Sequence, residues 1–202
     1  MKKTILLSLS LLILSGCMNS TPNSEDLKHE TAKSVEIKSL NSALARYTKA
    51  TIDNDIPTLL TFVYPKVFTL LPKEKMEAML ERMYASGKAP NITEIKHQKI
   101  SPIKQYDKGI YSIITSKMAM ELKSPTPDNE KFEEILLDKL KQQMGANVEV
   151  SLDKSKHLFV VKKESQIIGI NENSEGWKFV GYQQAKKYAE KNIIPKSITD
   201  NL

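Results

Sequence analysis

Cysteine is almost missing. Cys17 stands alone among 202 residues, so no disulfide can form within the chain. Arginine is nearly as scarce, with Arg46 and Arg82 the two among 30 basic residues. Phosphate and base recognition favours the bidentate arginine fork, and the lysines here are interleaved with Glu and Asp instead of forming a block. A sequence pI near 9.2 therefore does not point to nucleic acid. The three histidines, His29, His97 and His157, are far apart, and neither His-Glu-x-x-His nor paired-cysteine spacing occurs. No metal site is expected. Glycine numbers seven, with no Gly-x-Ser-x-Gly and no glycine-rich run. That excludes a nucleophile elbow and a phosphate-cradling loop, and no cofactor is expected. Long apolar runs are absent too. The most apolar stretch, Ile5–Leu14, has ten residues, about 15 Å of helix where a span needs about 20 residues.

What is present starts with MKKTILLSLSLLILSGC. Lys2 and Lys3 form a basic leader, Ile5–Leu14 an apolar centre, and Leu14-Ser-Gly-Cys17 a small-residue run ending in the lone thiol. This run resembles the lipobox of bacterial lipoproteins. The resemblance implies cleavage before Cys17, diacylglycerol on its sulfur, and an acylated new amine. Residues 1–16 are then a signal peptide and Cys17 a membrane anchor. Two or more acyl chains hold firmly at about 0.8 kcal/mol per buried CH₂. The protein is expected on a membrane surface, facing the periplasm or cell exterior. Met18, where Asp would retain an inner-membrane lipoprotein, implies the outer membrane in a host with two. Loss of residues 1–16 leaves 186 residues and lowers the net charge from +6 to +4, suited to anionic headgroups.

Residues 17–30 are polar, hold Pro22 and lack apolar period, and read as a flexible tether. A single α+β domain is expected over 31–190, with a frayed tail over 191–202. Ile37, Leu40, Leu44, Tyr47 and Thr51 share one helix face. Asp53-Asn-Asp55 and Pro57 start a second helix, ended by Pro65. Val67–Leu71 reads as a short strand. A third helix follows Pro72, its Met76, Met79, Leu80 and Met83 stripe read as core. Asn91–Ile103 alternates poorly, Ile110–Leu122 reads as a long strand, and Asp128 or Asn129 caps a fourth helix burying Phe132, Leu136, Leu140 and Met144. Val148–Leu152, Leu158–Val161, Gln166–Ile170 and Trp177–Tyr182 read as strands, with a turn near Glu164, before a short helix at about 183–191.

Helices followed by a meander of antiparallel strands predict an α+β fold with the N-terminal helices packed on a curved antiparallel sheet. Ala43-Leu-Ala-Arg-Tyr47, Asp55 through Leu59 to Phe62, and Gly176-Trp-Lys-Phe179 resemble the nuclear-transport-factor-2-like superfamily, over roughly residues 31–183. The resemblance implies a cone-shaped, cystatin-like fold with a pocket that is either open or filled. The helix at 129–144 departs from the family order, which has a strand hairpin there. Isomerases and dehydratases of that superfamily use a first-helix tyrosine, matched by Tyr47, and a carboxylate after the second helix. Here that place reads Phe62-Val-Tyr-Pro-Lys66, without Asp or Glu, and His97 and Glu94 are the nearest strand substitutes. Tyr47 is read as a core tyrosine with its hydroxyl at a rim, and His97 as part of a solvated strand face. The expected pocket is Leu44, Tyr47, Tyr64, Phe68, Trp177 and Phe179, with no catalytic residue assigned. The expectation is a lipid-anchored, non-enzymatic binding module for an envelope protein or a small apolar molecule. The alternative is a small-molecule isomerase or dehydratase.

Overall fold

Two fifteen-residue strands, β3 (Gly109–Lys123) and β5 (Leu158–Glu172), form the spine of the protein. The computed structural model describes residues 24–87, 89–145 and 147–200, with side chains from residue 33 onward. The signal segment and Cys17 lie outside the described residues. β3 and β5 pair antiparallel from Gly109↔Glu172 to Lys123↔Leu158, a ladder about 50 Å long at 3.3–3.4 Å per residue. β1 (Asn91–Ile100) and β2 (Lys104–Tyr106) follow one another along the outer edge of β3. β4 (Val148–Asp153) and β6 (Lys178–Gly181) do the same along β5. The result is a six-stranded antiparallel sheet, an α+β fold as expected. The expected turn near Glu164 does not occur. Glu164 pairs with Lys117 in mid-strand, and the charged run Lys162-Lys-Glu164 is exposed there.

Directly opposed residues share a face, and this sorts the core. Tyr111, Ile168, Ile170 and Val180 pack with Ala185 of α5 (Tyr182–Glu190) and with Ile193, Ile194 and Ile198. The frayed tail is therefore corrected. Ile194 and Ile198 are buried, and Lys196–Thr199 forms a short helix, α6. On the opposite face Ile114 packs with Phe179, Trp177, and Leu40 and Leu44 of α1 (Ser24–Ile52). Further along, Met120, Val150 and Val161 meet Leu137, Leu140 and Met144 of α4 (Glu130–Met144).

Helix α1 starts at Ser24, so residues 24–30, expected as part of a flexible tether, are helical, and the rest of that expected tether lies outside the described residues. Ile37 is 47% exposed and Leu40 is the first buried side chain described. Periodicity names a helix side, not how far the partner surface reaches. α2 (Ile56–Thr61) is capped by Asp55, whose Oδ1 accepts from Thr58 N–H at 3.1 Å. Val67–Leu71, expected as a short strand, is not one: Pro65–Thr69 forms a 3-10 turn. α3 (Lys73–Ala85) buries no residue, and Met79 and Met83 are exposed. Its methionine stripe is core only in part: Met76 packs half-buried against the cluster that contains Tyr64 and Val67, and Leu80 is half-buried, whereas Met79 and Met83 face outward. The poor alternation of 91–103 has a cause in β1, which shifts register between Ile92 and Glu94 and between His97 and Lys99. In α4 the cap is Asn129, and its buried stripe starts at Glu133 instead of Phe132, which is exposed. No helix among the described residues is long and apolar enough to cross a membrane.

Candidate functional site

The exit of α2 is tied to the last strand. Phe179 N–H donates to Phe62 O at 2.6 Å and Tyr64 N–H to Phe179 O at 3.2 Å, a short parallel bridge centred on Val63. Beside it lies a cleft of about 210 Å³, lined by Tyr47, Leu59, Phe62, Ile167, Phe179 and Tyr188 among others. Three rings build its floor. Tyr47 stands 4.9 Å from Phe179 and meets Phe62 edge-on at 6.2 Å, and Phe62 lies 6.0 Å from Phe179. Such edge and tilted pairs suit the aromatic quadrupole. The Arg46 guanidinium sits 5.3 Å over Phe62 and closes that ring's outer side. Burial pushes the Tyr47 hydroxyl above its ordinary pKa, against a lowering hydrogen bond from Thr51. It is a neutral group at any physiological pH.

The six expected pocket residues separate into three places. Tyr47 and Phe179 line the apolar cleft. Leu44 and Trp177 are buried in packed core, and the Trp177 indole N–H has no hydrogen-bond partner among the described residues. Phe68 is half-buried and lines neither this cleft nor the next. Tyr64 belongs to a second, polar pocket of about 220 Å³ on the other side of the bridge.

There the Tyr64 hydroxyl donates to Glu172 Oε2 at 2.5 Å, and Lys66 Nζ reaches both Glu172 oxygens at 3.1 and 3.3 Å. Burial penalises the Glu172 carboxylate. The hydrogen bonds from Tyr64 and Lys66, with the charges of Lys66 and Lys108, outweigh it and hold the pKa below the ordinary value. Burial and the neighbouring carboxylate push the Tyr64 phenol up, and burial with Glu172 does the same to Tyr106. The Tyr106 oxygen is buried without a partner among the described residues. Glu172, Lys66 and Tyr106 escape sequence reasoning. The available signal is an acid ending an apolar strand, in Ile-Gly-Ile-Asn-Glu172.

His97 is not on a solvated face. Its Nδ1 lies 2.8 Å from Ser116 Oγ and its Nε2 2.9 Å from Thr48 Oγ1, so it bridges β3 to α1, and burial lowers its pKa. The β1 register shifts turn it inward. Glu94 is exposed and pairs with Lys96 at 2.6 Å. Neither residue lines the apolar cleft. Among the described residues no three His, Cys, Asp or Glu side chains gather as a metal site needs. Comparison with protein-family models, with curated proteins and with solved structures finds no match to this chain.

Proposed function

We propose that the chain is a lipid-anchored binding module of the cell envelope, held by Cys17 and taking a small apolar group into the cleft beside Tyr47. The lining of that cleft carries this reading. It is apolar and aromatic, with two tyrosine hydroxyls as its polar side-chain groups. Proton abstraction needs a carboxylate or histidine within hydrogen-bond reach of the substrate, and the lining residues supply neither. At about 210 Å³ the cleft is smaller than the usual 300–1,000 Å³ ligand site. It suits one branched or aromatic group, from a small molecule or from a side chain of an envelope protein. Within this proposal the architecture is of the nuclear-transport-factor-2-like, cystatin-like kind. Support comes from α1 packed on a long antiparallel sheet with the cleft at its side, and α4 between β3 and β4 is this chain's own variation.

Two measurements test the proposal. Labelled palmitate should enter the wild-type chain in its host, and Cys17→Ala should abolish uptake and leave a precursor or a soluble form. A variant that still takes up label overturns the anchor, and flotation of separated membranes tests the outer-membrane assignment. For the cleft, short fatty acids, isoprenoid alcohols and apolar peptides are titrated against emission from Trp177, the single tryptophan. At least one should give a saturable change, weakened about tenfold or more, or 1.4 kcal/mol, by Leu59→Glu, since Leu59 is half-buried in the lining. A silent panel, or binding indifferent to Leu59→Glu, removes the cleft from the proposal.

A further inference from the structure

The second pocket has a chemistry that the apolar cleft lacks. It is lined by two cations, Lys66 and Lys178, and two carboxylates, Glu172 and Glu175. One pair is already satisfied, since Lys66 neutralises Glu172 at 3.1 Å and also lies 5.6 Å over the Tyr64 ring. The other two are not paired with each other or, among the described residues, with another charge. Lys178 Nζ donates to the neutral carbonyl of Thr61 at 2.7 Å. Among the described residues, neither Lys178 nor Glu175 has an opposite charge within 4.0 Å. The wall behind them is fixed. Gly176 N–H donates to the side chain of buried Asn171 at 3.0 Å, and Glu175 N–H to Glu172 O at 3.0 Å.

We propose that this pocket binds a small zwitterion bearing a primary ammonium and an anionic group. Lys178 receives the anion and Glu175 the ammonium, beside the fixed Tyr64–Lys66–Glu172 group. A lining with no net charge gives no advantage to a lone anion or cation, whereas a dipolar ligand meets an unpaired partner at each end. The volume of about 220 Å³ equals about seven waters at 30 Å³ each. That is the size of a small α-amino acid or of phosphoethanolamine. The shared chemistry has two sources, a free amino acid and the headgroup of an ethanolamine lipid.

Equilibrium dialysis of radiolabelled serine and radiolabelled phosphoethanolamine against the full-length lipidated protein in detergent micelles tests this. One of the two should be retained at one per chain. Retention of serine identifies a soluble amino acid, and retention of phosphoethanolamine alone identifies a headgroup. Propylammonium and propionate should compete about tenfold or more weakly than the zwitterion. Lys178→Met and Glu175→Gln should each weaken retention about tenfold. Glu175 is exposed and its substitution spares the fold, so it decides the matter even where Lys178→Met disturbs the Thr61 contact. Leu59→Glu in the apolar cleft should leave retention unchanged, which separates failure here from failure of the proposed function. Retention of neither zwitterion, competition by the single-charge compounds at equal strength, or full retention by Glu175→Gln overturns the proposal.

Discussion

Glu172 is the residue on which acid stability should turn. Its folded pKa is depressed, so it adds stability that is fully present above the unfolded carboxyl value of about 4.3. That stability is lost as pH falls through the lower folded value. Glu172→Gln should cost about 1.5–3 kcal/mol at pH 7, the range for hydrogen bonds to a charged group. In a domain of this size that is roughly 3–12 °C of melting temperature. As pH falls through that lower folded value the wild type and variant should converge. Melting curves recorded from pH 7 downward check this, and a gap that stays constant over the whole acid range would mean that shape, not charge, accounts for the loss. At this scale the site was half legible. Tyr47 and Phe179 stand out as aromatics at a helical and a strand position, and they do meet. The polar pocket was hidden, because 106 residues separate Lys66 from Glu172 and only the sheet brings them together. Trp177 and Leu44 show the converse error. Apolar residues on the correct face pack solidly as readily as they line a space.

Among elements, the C-terminal segment departs furthest from its sequence appearance. Lys191–Leu202 looks polar and short, yet Ile193, Ile194 and Ile198 are each 3% exposed or less. Burying an isoleucine is worth about 1.5–3 kcal/mol, so three amount to much of a net stability of about 5–15 kcal/mol. A chain ending at Asn192 should lose its cooperative thermal transition, whereas one starting at Thr31 should melt within a few degrees of the soluble full-length form. Circular dichroism on the two truncations separates them, and a cooperative melt from the first would return this segment to the status of a tail. The strong periodic elements were legible. The long β3, the Asn129 cap and the short C-terminal helix lie where propensity and capping chemistry put them. What pattern could not show was coverage. Met79, Met83, Phe132 and Ile37 lie on apolar stripes that the fold leaves exposed, since amphipathicity does not report how wide the facing layer is.

On the scale of the whole molecule, the core joins distant parts of the chain. One cluster draws on Tyr64 and Val67, on Tyr111 of β3, on Ile168 and Ile170 of β5, and on Ile193, Ile194 and Ile198 near the C-terminus. The ladder that supports it opens with Gly109 opposite Glu172. Gly109 has no tolerance for a side chain, because a Cβ there would stand 2.1 Å from Asn171 O. The sheet face is thus fixed at the end where both pockets lie, and the helices of the N-terminal half are held against strands of the C-terminal half.

That arrangement sets an order in time. A chain is made from its N-terminus, and domains generally fold as units once their parts exist. The layer behind Ile168 and Ile170 is not complete until Ile193, Ile194 and Ile198 have joined Tyr64, Val67 and Ala185. Until then, the face that carries Tyr111, Ile168 and Ile170 is covered only in part. Until the segment that follows α5 has been made, the nascent chain carries an incompletely covered apolar sheet face, and that segment completes the core.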